Sequence, residues 1–428
     1  MRARPMQSAR VETGSATTVT TSALNRRLVD GISTWLLRYW IPFAIFVASR
    51  IVDAVLLALS ASEQVSLSES REDYYVYEAT PADPGYLGVV SNWDAQWYRQ
   101  IATDGYQLPA ADATPQEARD TLWAWAFPPA YPMFVRALMA VTSLSFPVAA
   151  TIISCMAGTL AMVLMYRLVS RTGGPFLAAV TVLFSSFWVS APLLQIGYSE
   201  SLALLFLMAA LNLLVDRRYA WAAVAVLALS MTRLVTLPLL LAVVTHAWLR
   251  YRREGAFWRE RPKEAIGIAL VGLATVFGVF SWMLLASVFI GTDAGMERSA
   301  GQRSLYLGWF QDTYRLLGVG GPLFLGIFVL LLILFMLSPR ARVWAPELRA
   351  WSVAYPAYLL AMTPFLPAVF RYLLLTPTLP VMMAGTPCSR SRRTIVWVAV
   401  LLVFLVLCQR WYVSTILVVW TRDPRPGP

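Results

Sequence analysis

The sequence predicts an all-α, polytopic helical membrane protein with about eleven transmembrane helices and a large first extracytoplasmic loop. Three observations lead there. The 428 residues are 58% hydrophobic with a mean hydropathy of +0.59, more apolar than a soluble globule of that length. Several uninterrupted apolar runs reach the ~20 residues that a helix needs to cross a ~30 Å hydrocarbon core, and they far exceed barrel strands in length. Alternate loops between these runs are basic, the bias that retains Arg and Lys on the cytoplasmic side. The same loops account for the formal net charge of +11, so the charge does not point to nucleic acid as a partner.

Residues 1–27 are rich in Ser, Thr, Ala and Arg without periodicity, the composition of a disordered cytoplasmic tail. The first apolar run begins near Ile32, is long enough to span and lacks a small-residue cleavage site, which argues against a signal peptide. The transmembrane domain then covers 28–420, and 421–428 form a C-terminal tail. The first span, 32–59, follows Arg26 and Arg27 and contains Arg38 near its start, which sets the N-terminus in the cytoplasm. Arg50 and Asp53 lie three apart near its far end, on one helical face. They read either as a mutual ion pair or as part of a cavity wall, where charges within a membrane usually face.

Residues 61–146 make the first extracytoplasmic loop, with interfacial helices. Its polar part carries Glu69, Glu72, Asp73, Tyr74, Tyr75, Tyr77 and Glu78, then SNWDAQWYRQIATDGY at 91–106. In FPPAYPMFVRAL, 127–138, the prolines predict a bent entry into a short helix at the interface. The later spans fall near 147–169, 175–194, 198–215, 219–232, 235–249, 264–290, 319–338, 350–368, 371–387 and 394–415. Their cytoplasmic loops hold Arg167 and Arg171, Arg217 and Arg218, the run from Arg250 to Lys263, Arg340 to Arg349, and Arg390 to Arg393. All but one of the 35 basic residues are Arg, a bias of bacterial character, and the plasma membrane of a bacterium is the expected location. Cys155, Cys388 and Cys408 have no metal-ligand spacing and read as buried thiols.

Polar residues that spans do not explain gather on the extracytoplasmic side. The segments 219–232 and 235–249 are short for a crossing, with Thr232 and Arg233 at their tip. The segment 362–372 is broken by Pro364 and Pro367 and ends at Arg371. Broken or short helices are tolerated at membrane depth where protein encloses them. GYSES at 197–201 and the loop 291–318, with Arg298, Gln302, Arg303, Tyr306 and Trp309, fall on the same side.

Asp94 is the candidate for chemistry, a carboxylate able to deprotonate an attacking hydroxyl; the alternative is a helix N-cap, a position that suits Asn92 and Asp94 alike. Trp93 and Trp97, with Tyr98 beside them, read as a platform for a sugar ring or as interfacial aromatics. Glu200, after Tyr198, is a second carboxylate or a charge at a helix start. Arg233 and Arg371 have no acid nearby in sequence and read as ligands of a lipid-linked phosphate, through bidentate guanidinium donors, or as side chains reaching the headgroups. Arg303 has the same chemistry in an exposed loop. His246, the single histidine, lies near the cytoplasmic end of a short helix, far from this face. No phosphate-binding loop, nucleotide fingerprint or metal cluster occurs, so no cofactor and no metal ligand is expected, and a divalent-metal requirement stays open. An extracytoplasmic enzyme without nucleotide machinery needs a donor activated beforehand and delivered in the membrane, which a polyprenyl-phosphate sugar provides.

The order Trp93-Asp94, Ile101-Ala102, Gly105-Tyr106, Phe127-Pro128 and Tyr131-Pro132 resembles the first-loop motif of the PIG-V-like integral-membrane mannosyltransferases of the GT-C fold. Ser190-Ala191-Pro192 and Tyr198-Ser199-Glu200-Ser201 resemble that family's Ser-Ala-Pro-Tyr-Ser-Glu-Ser segment, with extra residues between the halves. Thr232-Arg233 resembles its Thr-Arg pair, and Phe370-Arg371-Tyr372 its late Arg-aromatic motif. The resemblance implies inverting transfer of mannose from a polyprenyl-phosphate donor to a lipid or glycan acceptor at the outer face of the membrane. Asp94 would be the general base, Arg233 and Arg371 would hold the departing phosphate, and the loop aromatics would orient sugar or acceptor. The alternatives are a GT-C enzyme for another polyprenyl-linked sugar, and a transporter or flippase of lipid-linked glycans. The latter class usually carries internal repeats, and none is apparent here.

Overall fold

A computed structural model describes residues 16–70, 74–290, 306–365, 367–383, 385–386 and 390–419. The chain divides into two compact units, Met1–Ile41 and Pro42–Pro428. The first holds the beginning of helix α1 (Ala16–Ala61), which therefore starts inside the stretch expected as an aperiodic tail. The boundary falls at Pro42, a residue that cannot donate to the carbonyl four positions before it. All that follows concerns the second unit.

The regular secondary structure among its described residues is helical, apart from one isolated bridge between Leu67 and Thr80 in the first loop. The loop carries α2 (Gly85–Val89), α3 (Asp94–Asp104), α4 (Pro115–Trp123) and α5 (Ala130–Thr142). α5 begins after Pro129, where the sequence predicts a bent entry, and the Ala130 amide donates to the Met231 carbonyl at 2.8 Å. Then come α6 (Phe146–Ser186), α7 (Glu200–Val215), α8 (Tyr219–Ser230), α9 (Leu239–Glu254), α10 (Phe257–Glu260) and α11 (Pro262–Ile290). The remainder is α12 (Gly308–Leu317), α13 (Gly320–Leu337), α14 (Pro346–Met362), α15 (Ala368–Tyr372), α16 (Thr378–Met383) and α17 (Arg392–Tyr412). Five helices among the described residues are long and apolar enough to cross a membrane: Tyr39–Ala61, Phe146–Ser186, Pro262–Ile290, Gly320–Leu337 and Arg392–Leu417.

At about 1.5 Å per residue, the 41 residues of α6 would cover roughly 60 Å, twice a hydrocarbon core. Gly174, with φ +79°, leaves the helical region just before Pro175 and divides it in two, between the two spans expected there. α7 and α8 are apolar on every side; α7 is mostly buried, against α6 and α8, while α8 packs one face on α7 and α11 and leaves Trp221, Val224 and Leu227 exposed. α9 packs on α14.

The span expected at 371–387 is not one helix. The chain there is α15, a 3-10 turn at Leu373–Leu375, and α16. Pro377 disfavours helical backbone at Thr376 and removes an amide donor, which ends the helix. The broken segment still travels the length of the bundle: it starts at Arg371, and beyond it the Arg390 guanidinium lies 5.7 Å from the ring centre of Phe176, beside the Gly174 turn.

Ion pairs separate into two sets at opposite helix ends. α7 begins at Glu200 and ends beside Asp216, which accepts from Arg167 at 2.8 Å and Arg171 at 2.7 Å. α9 follows the Arg233 turn and ends at Glu254, paired with Arg217 at 2.6 Å and Arg250 at 2.5 Å. His246 meets Glu347 at 2.8 Å toward that same end, away from Glu200. The orientation in the membrane is an expectation from loop charge, open to a direct check. In a cysteine-free background, Ala111→Cys should react with an impermeant maleimide on intact cells, and Arg259→Cys should react only after lysis. Both positions are exposed. The reverse pattern would invert the topology.

Candidate active site

Glu200 is the first residue of α7 and is 1% exposed at its side chain. Its Oε1 accepts from Arg233 Nη1 and from Arg371 Nε. Arg371 Nη1 also meets Asp94 Oδ2 at 2.5 Å. Four charged residues from four distant segments therefore form one cluster, with Arg371 shared by both carboxylates. Each carboxylate stands in the first turn of a helix, where the macrodipole favours negative charge. Tyrosine rings surround the guanidinium groups: Arg371 lies 4.9 Å from the ring centre of Tyr198 and 5.6 Å from that of Tyr372, and Arg233 lies 5.3 Å from Tyr372.

Local chemistry assembles the cluster. Gly197 lies flush on the entry to α3: a Cβ there would meet the Cβ of Ala95 at 2.9 Å and the carbonyl of Val90 at 3.1 Å. The Gly197 amide donates to that carbonyl at 3.1 Å, and Tyr98 Oη donates to Ser199 Oγ at 2.8 Å. Asp94 and Glu200 are thereby held side by side. Ser190 Oγ and Trp188 Nε1 both donate to the Phe370 carbonyl, at 2.7 and 3.0 Å, which brings the residue before Arg371 to the same place. The extra residues between Ser190-Ala191-Pro192 and Tyr198 form a 3-10 turn at Ala191–Leu194 and a short return, so the two halves of that segment remain neighbours.

Arg50 and Asp53 resolve into an ion pair at 2.7 Å, both side chains buried. Arg50 does more: it donates to the carbonyls of Ser186 at 3.1 Å and Ala191 at 2.9 Å, at the end of α6 and the start of the turn that leads to Glu200.

Neither Asp94 nor Glu200 is an N-cap. The capping positions belong to Trp93 and Ser199, and neither side chain makes a capping hydrogen bond. Arg233 and Arg371 have no acid nearby in sequence, but the fold brings acids to them. Both are paired, because packing supplies Glu200 and Asp94 from elsewhere in the chain. Trp97 is 8% exposed, stacked on Tyr75 at 3.8 Å and facing Phe127 at 6.0 Å, so it belongs to the loop's own core and not to an open platform or an interfacial belt. Trp93 spends its Nε1 donor on the Leu417 carbonyl at 2.9 Å and packs edge-on to Tyr74. Its backbone, at φ 56° and ψ −124°, is unusual for a residue with a side chain and costs on the order of 1–3 kcal/mol. Tyr98 is 2% exposed and packs edge-on to Phe127 and Tyr131. Arg303 lies outside the described residues. Among the four charged residues, side-chain exposure is 28% for Asp94, 12% for Arg233, 6% for Arg371 and 1% for Glu200, so Asp94 is the member most open to a reactant.

One contributor had no role assigned from the sequence: Tyr372, whose ring lies against both guanidinium groups.

The chain is similar to two crystal structures of ArnT from Cupriavidus metallidurans. With the structure bound to undecaprenyl phosphate it shares 16% identity and a TM-score of 0.48, over 85% of this chain and 63% of that one. With the apo structure the values are 15% and 0.46, over 86% and 62%. This chain thus spans less than two thirds of the length of those proteins. No family model and no curated protein matches the sequence.

Proposed function

We propose that this protein is a GT-C membrane glycosyltransferase that moves a sugar, mannose by resemblance, from a polyprenyl-phosphate donor to a lipid or glycan acceptor on the extracytoplasmic face. The observation that carries the reading is the joining of Asp94 to Glu200, Arg233 and Arg371, residues taken from motifs that follow the order of the PIG-V-like family. In this reaction the acceptor hydroxyl attacks the anomeric carbon from the side opposite the phosphate, and its proton passes to the Asp94 carboxylate. The bond from the anomeric carbon to the phosphate oxygen breaks, and its electron pair leaves on the phosphate. The products are an inverted glycoside and polyprenyl phosphate. Arg371 and Arg233 stabilise the charge that grows on the leaving oxygen. Glu200, nearly without exposure, is not in a position to take the proton. It fixes the two guanidinium groups at one point and balances them before a phosphate arrives.

Purified protein in proteoliposomes, supplied with radiolabelled polyprenyl-phosphate mannose and extracted membrane acceptors, tests the proposal. Labelled product of inverted configuration, absent without protein, is the expected result. Movement of the lipid-linked sugar between leaflets with no product would instead establish a flippase. Parallel donors carrying glucose, galactose or a pentose decide the sugar.

A further inference from the structure

The terminal turn of α17 touches the motif that carries Asp94 at several points. After Tyr412 the helix widens into a π-turn, Val413–Leu417, closed by a hydrogen bond from the Val418 amide to the Val413 carbonyl at 3.0 Å. The last carbonyls of any helix have no partner within it. Here the carbonyl of Leu417 accepts two bonds from the residues that precede Asp94: Asn92 Nδ2 at 3.1 Å and Trp93 Nε1 at 2.9 Å. Asn92 is fully buried, and its amide is further fixed by Gln64, which accepts from Nδ2 at 2.7 Å and donates to Oδ1 at 3.3 Å. Next to Gln64, the Val65 amide donates to the Val419 carbonyl at 2.9 Å, so the segment is pinned on both sides. The Trp93 ring packs with Leu67, Tyr74 and Val419 in the same small core.

Trp93 needs such support. Its backbone lies where side chains are rarely found, and such conformations persist only where surrounding contacts over-determine them. The turn it makes is what sends α3 off with Asp94 as its first residue, facing Arg371. π-turns are rare and concentrate at functional sites, and this one presents a carbonyl that accepts from both Asn92 and Trp93.

We propose that Trp93 and the π-turn at 413–417 form a positioning device for Asp94, in which the Leu417 carbonyl, through Trp93 Nε1 and Asn92 Nδ2, sets the distance from the carboxylate to the reacting hydroxyl. The inference deepens the transferase reading and rests on it for its kinetic consequence. Trp93 is thereby a positioning residue and not a sugar platform.

Trp93→Phe keeps an aromatic ring for the small core and removes the Nε1 donor, together with part of the indole surface. A displacement of about 1 Å at a reacting group costs up to roughly a hundredfold in rate. Turnover should therefore fall by about tenfold or more, while inhibition by polyprenyl phosphate, which reports on phosphate binding, stays within about twofold and the thermal midpoint holds. Hydrogen exchange measured by mass spectrometry over residues 91–98 should rise in the variant, whatever the substrate. Unchanged turnover with unchanged exchange overturns the device and leaves the transferase reading intact. Faster exchange in a protein that transfers no sugar supports the device and overturns the transferase reading. A parallel collapse of turnover, phosphate affinity and midpoint overturns the device in favour of a general packing role.

Discussion

Asp94→Asn is expected to reduce sugar transfer by two to four orders of magnitude while the protein still inserts and folds. The substitution preserves shape, removes the negative charge and leaves an amide that cannot take a proton. Asp94 is the most exposed of the four clustered charges, and Arg371 keeps its second partner, Glu200, so stability should change little. Single-turnover transfer from a labelled polyprenyl-phosphate sugar is the measurement, with size-exclusion chromatography to establish folding. Wild-type rates in the variant would remove Asp94 from the role of base. Asp94→Glu separates charge from geometry: if position matters, the longer side chain restores little.

Glu200→Gln should have the largest effect on stability. Breaking a buried ion pair by removing one partner typically costs about 3–5 kcal/mol, because the other charge stays buried without compensation. Here one carboxylate serves two guanidinium groups, and its removal leaves Arg233 with no other ion-pair partner among the described residues. The thermal midpoint in detergent should drop clearly, with loss of transfer alongside. Adding Arg233→Gln to the same protein should recover part of the lost stability, since it removes one uncompensated charge, but no activity. A midpoint unchanged in Glu200→Gln would mean that the cluster is hydrated and loosely held. These two carboxylates are chemically alike, yet one variant is expected to fail in chemistry and the other in folding. Exposure divides them.

Apolar runs and proline breaks are local signals, and five of the described helices are long and apolar enough to cross a membrane, whereas at 371–387 Pro377 outweighs hydropathy. The candidate residues Asp94, Glu200, Arg233 and Arg371 were legible because charged groups amid apolar sequence are few and conspicuous. Their pairing was not. A sequence shows which acids lie near an arginine along the chain, and near Arg233 and Arg371 there is none, so by sequence their partner is a lipid-linked phosphate or a headgroup. The fold supplies Glu200 and Asp94 instead.

The tryptophans show the converse limit. Trp93 and Trp97 look like ligand platforms because nothing local covers them, yet Tyr75 and Phe127 cover one and Leu417 takes the donor of the other. The sequence by itself determined a helical membrane protein with two chemically distinct ends, and the residues at the end that carries charge against expectation. Hydropathy and helical period act over a few turns and can be read residue by residue. Only the tertiary structure decided that Arg371 is shared, that Glu200 is a buried hub and Asp94 the open carboxylate, and that the end of the last helix holds the turn before it. Those are contacts between segments up to hundreds of residues apart, and their partners are chosen by packing.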